Sequence, residues 1–161
     1  MRIAPSKIHL FDGESSDPAI ECRKMDEYIR QVGGIDLMLV GVGMNGHIGF
    51  NEPGVPEGLH AHVVDLDETT QSVGQKYFKQ RTTLLKGITL GFGNIIESRR
   101  VIMMASGKKK ANIIQRALER PITTEVPASV IRRHSQHVVM LDREAASALD
   151  GTSVNKGVKP D

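Results

Sequence analysis

Apolar residues recur at helical spacing in the first third of the chain, between two sets of boundary residues. The segment 18–32 carries the periodic apolar positions, with Asp17 and Pro18 at its start and Gly33 and Gly34 after it. A short polar side chain followed by proline favours the start of a helix, and glycine favours its end. We therefore expect a helix over 18–32.

The segment 35–40 is apolar apart from Asp36, which is typical of a parallel strand that is covered on both faces. Similar patterns predict strands at 8–11, 87–92, 100–105 and 137–141. They also predict helices at 68–79 (capped by Asp67), 94–97, 108–118 and 128–134. Because strands alternate with helices, we expect an α/β fold with a mostly parallel, Rossmann-like sheet and helices on both faces.

Composition limits the domain count and the classes of partner. The length of 161 residues fits one domain over 1–149, and the Gly, Ser, Asn, Lys and Pro content of 150–161 predicts a disordered tail. A net charge of +2, with 4% aromatic residues and no Trp, argues against nucleic acid. The single cysteine, Cys22, and the absence of an apolar run of roughly 20 residues indicate a cytoplasmic protein without a membrane span.

A glycine-rich loop follows the 35–40 strand and presents three polar side chains. Asn45, His47 and Glu52 fall within eight positions of each other. Open α/β sheets bind ligands where their strands end. A lone histidine is usually structural, but a carboxylate partner would fix the tautomer of this one. We interpret the loop as a candidate proton shuttle for a sugar ring.

Two alternative patterns are weaker. Gly41, Gly43 and Gly46 match the Gly-x-Gly-x-x-Gly spacing of dinucleotide-binding loops, but the residues that follow do not open a helix. No convincing metal-ligand spacing is present, since His60-x-His62 alone is insufficient. We therefore predict neither a dinucleotide nor a metal.

Three consecutive lysines at 108–110 follow Gly107 at the predicted start of a helix. They are read either as a solvated basic face or as part of an anion site, since cations oppose the helix dipole at this end. In the second interpretation the free N–H groups and a lysine would bind phosphate together. Lys76 is a second candidate for the same role.

The segment from Gly41 to Gly54 closely resembles the signature of the glucosamine-6-phosphate deaminase family and of the related galactosamine-6-phosphate deaminase/isomerases. Segments 33–36, 86–91 and 127–129 resemble the same family, so the resemblance covers about 8–141. It implies a sugar-phosphate isomerase/deaminase fold. It also implies conversion of an amino-sugar 6-phosphate to a ketose 6-phosphate and ammonia, without a cofactor. The choice between the two epimers stays open.

The resemblance also implies roles for individual residues. His47 matches the histidine that opens the pyranose ring, Glu52 matches its carboxylate partner, and Asn45 occupies an orienting position. Lys110 matches a phosphate-binding lysine, and Lys76 falls where some members have a phosphate-binding arginine.

The glycines Gly41 and Gly43 are expected to line the substrate site.

The family carries a phosphate loop and a proton-abstracting aspartate nearer its N-terminus, and neither motif precedes Ile8 here. Asp12 and Asp17 are not in that context. We therefore expect the ring-opening half of a site in a fold missing its N-terminal strands. By itself this chain is expected to be inactive or nearly so in the full reaction, because the base is missing. An exposed sheet edge or apolar face would favour self-association, and a homo-oligomer is open.

Two other functions remain open. A 6-phosphogluconolactonase-like hydrolase would share the fold, although its loop normally continues differently after the histidine. A non-catalytic module that binds a sugar phosphate would explain the missing base.

Overall fold

The computed structural model describes residues 3–66, 68–75, 80 and 83–150. In chain order, the elements are α1 (Pro18–Gln31), β1 (Met38–Gly41), β2 (His62–Asp65), α2 (Glu68–Gly74), β3 (Lys86–Thr89), α3 (Phe92–Glu97), β4 (Val101–Ala105), α4 (Ala111–Glu119) and β5 (His137–Leu141). Short 3₁₀ helices lie at Pro5–Lys7, Lys108–Lys110 and Pro127–Arg133. None of the helices in the described ranges is long and apolar enough to cross a bilayer.

Helix α1 begins and ends where its boundary residues predict. The carboxylate of Asp17 accepts a hydrogen bond from the backbone N–H of Ile20 at 3.1 Å, and Pro18 is the first helical residue. Gly33 and Gly34 follow with φ angles of 87° and 96°. These left-handed values cost little only for glycine, so the helix cannot continue through them.

The three parallel strands form one sheet in the order β1–β4–β5. Met38 lies opposite Val101, and Val101 lies opposite His137. The predicted α/β class with a parallel sheet is confirmed. Because the strands run in the same direction, their carboxyl ends meet at one edge, which is where such sheets place ligands.

The strands β2 and β3 pair antiparallel in a separate two-stranded sheet. β3 overlaps the predicted strand at 87–92, whereas β2 was not predicted. The predicted helices at 94–97, 108–118 and 128–134 correspond to α3, to a 3₁₀ turn leading into α4, and to a 3₁₀ helix.

One face of the parallel sheet carries the hydrophobic core. The side chains of Val40 and Met103 on the sheet belong to the same buried cluster as Phe92 of α3, Ile114 of α4 and Ile131 of the last 3₁₀ helix. Burial of these side chains is the main favourable term in folding. It also anchors the loops at the carboxyl edge.

The other face of the sheet is apolar and exposed. Leu39, Met104, Val138 and Met140 retain 58%, 42%, 43% and 54% of their accessible surface. Helices were predicted on both faces, but the helices among the described residues cover only one. Exposed apolar patches favour association, so self-association of this chain stays a prediction.

The predicted strand at 8–11 is wrong. The described residues offer it no strand partner, and Ile8 and Leu10 are 51% and 81% exposed. A strand forms when a neighbour pairs with its N–H and C=O groups, so apolar character alone is insufficient. Asp67, the 76–79 part of the predicted helix and residues 151–161 lie outside the described residues. The predicted domain bounds stay a prediction.

Candidate active site

The glycine-rich loop after β1 is folded back by its own backbone. The N–H of Gly43 donates to the carbonyl of His47 at 2.8 Å, and the N–H of Gly46 donates to the carbonyl of Gly43 at 3.2 Å. A Cβ atom at Gly43 would lie 2.3–2.5 Å from ring atoms of His47. Glycine at this position therefore lets the imidazole ring lie directly against the loop backbone.

This loop does not open a helix. Ile48 and Asn51 form an isolated antiparallel bridge, and the next helix starts only at Glu68. A dinucleotide fingerprint requires the glycines to lead directly into a helix, whose N-terminus holds the pyrophosphate. The literal Gly-x-Gly-x-x-Gly spacing is therefore not a dinucleotide site here.

The loop brings its three candidate side chains together. Nδ1 of His47 lies 3.4 Å from Oε2 of Glu52, and their side chains are 19% and 7% exposed. The amide of Asn45 donates from Nδ2 to the same Oε2 at 2.7 Å. Its Oδ1 accepts from the backbone N–H of His47 at 3.1 Å. Asn45 therefore orients both the carboxylate of Glu52 and the backbone of the loop.

A fourth member of the cluster, Thr70, was missed by the sequence analysis. Its hydroxyl donates to Oε1 of Glu52 at 2.7 Å and lies 3.4 Å from Nδ1 of His47. Thr70 belongs to α2, and nothing in the sequence distinguishes it from other helical threonines. The only signal is its place on the same predicted helix as Lys76.

These contacts determine what His47 can do. Glu52 and Thr70 both lie on the Nδ1 side of the ring. A carboxylate beside Nδ1 favours the tautomer with hydrogen on that atom. Nε2 then keeps its lone pair, so it can accept a proton from a ligand and return it.

A cavity of about 660 Å³ opens beside this cluster. Its described lining includes Gly41, Gly43, His47, Thr70 and Lys110. The volume suits a small-molecule ligand. Four of the predicted site residues thus share one cavity, and Lys76 lies outside the described residues.

Lys110 places a cation at the base of the glycine loop. Its Nζ donates to the carbonyl of Val42 at 2.6 Å. Burial lowers the pKa of Lys110 from its ordinary value, because desolvation disfavours the charged form. A phosphate in the cavity would supply a counter-charge for this ammonium.

The interpretation that free backbone N–H groups at the start of the helix after Gly107 bind phosphate is wrong for two of these groups. The N–H of Gly107 donates to both carboxylate oxygens of Asp142 at 2.9 and 3.1 Å, and the N–H of Lys108 donates to Glu144 at 3.3 Å. The protein therefore supplies its own anions here. These two N–H groups are therefore not available to phosphate, and of the three lysines at 108–110 the described cavity lining includes Lys110.

Cys22 has the environment of a structural thiol. It is buried in α1, and burial raises its pKa, with a smaller contribution from the carboxylate of Asp26. A thiol in this state is a poor nucleophile at neutral pH. Within the described ranges, no three or more His, Cys, Asp or Glu side chains are grouped to hold a metal ion.

Comparisons with known proteins match most of the chain. The profile of a family described as glucosamine-6-phosphate isomerases/6-phosphogluconolactonase matches residues 1–140. A curated glucosamine-6-phosphate deaminase of Thermoanaerobacter sp. (strain X514) is 39% identical over 150 residues, which are 92% of this chain and 59% of that protein. The chain thus spans less than two thirds of the length of this relative.

Solved structures agree with this match. The structure of a monomeric glucosamine-6-phosphate deaminase aligns with a TM-score of 0.85 and 38% identity, over 90% of this chain and 61% of that one. A 6-phosphogluconolactonase from Trypanosoma cruzi aligns with a TM-score of 0.62 and 22% identity, over 81% and 52%. The second likeness shows the fold alone.

Proposed function

Because the chain belongs to the family of glucosamine-6-phosphate isomerases and 6-phosphogluconolactonases, we propose that it carries the ring-opening half of an amino-sugar 6-phosphate deaminase site. The observation that carries this proposal is the pairing of His47 with Glu52, 3.4 Å apart, at a cavity that Lys110 also lines. The single cysteine supports a cytoplasmic location as part of the proposal.

The proposed step is opening of the pyranose ring. Nε2 of His47 takes the proton of the anomeric hydroxyl, the C1–O1 bond becomes a carbonyl, and the C1–O5 bond breaks. The same imidazole then gives its proton to O5, so no net proton is consumed. Glu52 stabilises the transient imidazolium, and Asn45 holds the carboxylate in place.

Lys110 is the proposed phosphate ligand. Its ammonium is partly buried, donates to the glycine loop at the Val42 carbonyl and lines the cavity. A 6-phosphate placed there would leave C1 of the sugar free to lie beside His47. The proposed substrates are therefore glucosamine 6-phosphate and galactosamine 6-phosphate.

Release of ammonia needs a further group. Isomerisation from aldose to ketose requires a base at C2, and no carboxylate is among the described residues that line the cavity. We therefore expect this chain by itself to open the ring without releasing ammonia. A product of the same gene that also supplies this base would do both.

The test separates the two steps. NMR exchange between the α and β anomers of glucosamine 6-phosphate measures ring opening on this chain. An ammonia assay with each amino-sugar phosphate measures deamination by the complete gene product. We expect His47→Gln to slow catalysed anomer exchange by about 10²- to 10⁴-fold, the usual contribution of general acid–base catalysis.

Three outcomes would reject the proposal. The first is a complete gene product that releases ammonia from neither amino-sugar phosphate. The second is hydrolysis of 6-phosphogluconolactone as the main activity, which would favour the hydrolase. Binding of sugar phosphate without anomer exchange or deamination would instead indicate a non-catalytic module.

A further inference from the structure

We propose that Thr70 is a positioning residue of the ring-opening site, which rests on the function proposed above. Its hydroxyl contacts both members of the pair, at 2.7 Å from Oε1 of Glu52 and 3.4 Å from Nδ1 of His47. Thr70 is only 7% exposed, so water competes little for these contacts. It acts on the sugar through the orientation and tautomer of the histidine.

The direction of the hydrogen bonds follows from the donors available. A threonine hydroxyl carries one hydrogen and two lone pairs. The short contact with the carboxylate of Glu52 uses that hydrogen, so Thr70 can only accept on the side of His47. Nδ1 of the imidazole therefore faces two acceptors, the hydroxyl oxygen and Oε2, and this favours the tautomer with hydrogen on Nδ1.

Thr70 and Asn45 each donate a hydrogen bond to a different oxygen of the Glu52 carboxylate. Asn45 donates to Oε2 from the same loop as Glu52, whereas Thr70 donates to Oε1 from α2. The carboxylate is therefore held by two separate elements, the glycine-rich loop and α2. Without Thr70, Oε1 loses this buried donor and the carboxylate is free to rotate away from Nδ1.

Three substitutions test this role through catalysis. Thr70→Val removes the hydroxyl and keeps the shape of the side chain. Thr70→Ala removes both the hydroxyl and the γ-methyl group, and Thr70→Ser keeps the hydroxyl. We expect the first two to lower kcat for anomer exchange by about tenfold to a hundredfold, with KM changed by less than about twofold. Thr70→Ser should stay within about threefold of the wild type, and so should Ser72→Ala, an exposed control on α2.

A second readout needs no substrate. Nitrogen-15 NMR of the free protein reports which ring nitrogen of His47 carries hydrogen. We expect hydrogen on Nδ1 in the wild type and in Thr70→Ser, and a mixture of tautomers in Thr70→Val and Thr70→Ala. If the wild type does not exchange anomers, the proposed function fails while this readout still decides the role of Thr70.

An unchanged tautomer in both hydroxyl-free variants would overturn the proposal. So would a loss of kcat in Thr70→Ser as large as in Thr70→Val, since that would indicate packing rather than the hydroxyl.

Discussion

Two glycine-containing turns at the carboxyl edge of the parallel sheet differ in what contacts them. The loop after β1 holds the ring of His47 against Gly43 and leaves it at the cavity wall. The turn after β4 has its Gly107 N–H bound to the carboxylate of Asp142. One turn leaves a histidine at a cavity wall, and the other is closed by the protein itself.

The difference lies in where the completing residues come from. Glu52 is five positions from His47, so the spacing within one loop is sufficient to predict their pairing. Asp142 is 35 positions from Gly107 and follows a different strand. A free helix start can therefore be recognised only when the strands that flank it are known.

Among changes that alter the two turns and not the histidine itself, the largest effect is expected at Gly43. In Gly43→Ala the new Cβ atom would lie 2.3–2.5 Å from the His47 ring, so the ring must move. Misplacement of a catalytic group by about 1 Å can cost about 100-fold in rate, so we expect at least that loss in anomer exchange. NMR exchange measurements on the variant check it.

Gly58→Ala is the matched control for this change. Nothing lies within 4 Å of a Cβ atom at Gly58, and the residue does not line the cavity. We expect it to keep the wild-type rate. If Gly43→Ala exchanges anomers as fast as Gly58→Ala, the close contact between ring and backbone is not needed for the step.

A smaller effect is expected at Lys110, which follows the second turn in sequence and donates to the carbonyl of Val42 in the first. In Lys110→Met the cavity loses a partly buried cation, and we expect KM for glucosamine 6-phosphate to rise about tenfold or more, as for a lost charge-assisted hydrogen bond. Lys109→Met removes a neighbouring exposed lysine and should change KM by less than about twofold. Steady-state kinetics of both variants give the comparison.

The pH dependence of KM tests the same lysine. Burial lowers the pKa of Lys110, so its positive charge is lost at a lower pH than that of an exposed lysine. Below this pKa the ammonium attracts phosphate, and as the pH rises through it the attraction disappears. KM of the wild type should therefore rise toward alkaline pH, and Lys110→Met should lack that rise. An identical alkaline rise in both proteins would assign the titration to another group.

The sequence predicted the parts of the fold whose signals are local. The strands β1, β4 and β5 are short apolar runs, and α1 carries its own cap and stop residues. β2 was missed because only Val63 and Val64 in it are apolar, between His62 and Asp65. The segment 8–11 was mistaken for a strand because pairing depends on a neighbour that its own residues do not specify.

The site residues also divide into those that local spacing predicts and those that depend on distant packing. Asn45, His47 and Glu52 lie on one loop, so their spacing in the sequence is sufficient to predict that their side chains lie close together. Thr70 is 18 positions from Glu52 and belongs to a helix. Its contact with the carboxylate depends on how α2 packs beside the loop, and no local pattern encodes that packing.

The smallest expected effect, on stability alone, comes from opening the closed turn. The carboxylate of Asp142 accepts from the N–H groups of Gly107 and Ala145. Asp142→Ala leaves both without this acceptor, and we expect the free energy of unfolding to fall by about 1–2 kcal/mol. Asp36→Ala, which removes an exposed ion pair with Arg99, should cost less than about 1 kcal/mol. Urea unfolding of the two variants measures both.

The same variant decides whether the closed turn takes part in binding. The N–H groups of Gly107 and Ala145 are occupied by Asp142 in the wild type, so releasing them should leave kcat and KM for ring opening unchanged. A KM for glucosamine 6-phosphate that falls several-fold in Asp142→Ala would show that the freed N–H groups reach the phosphate. The two turns would then act on one ligand, and the capping carboxylate would compete with the substrate for the same donors.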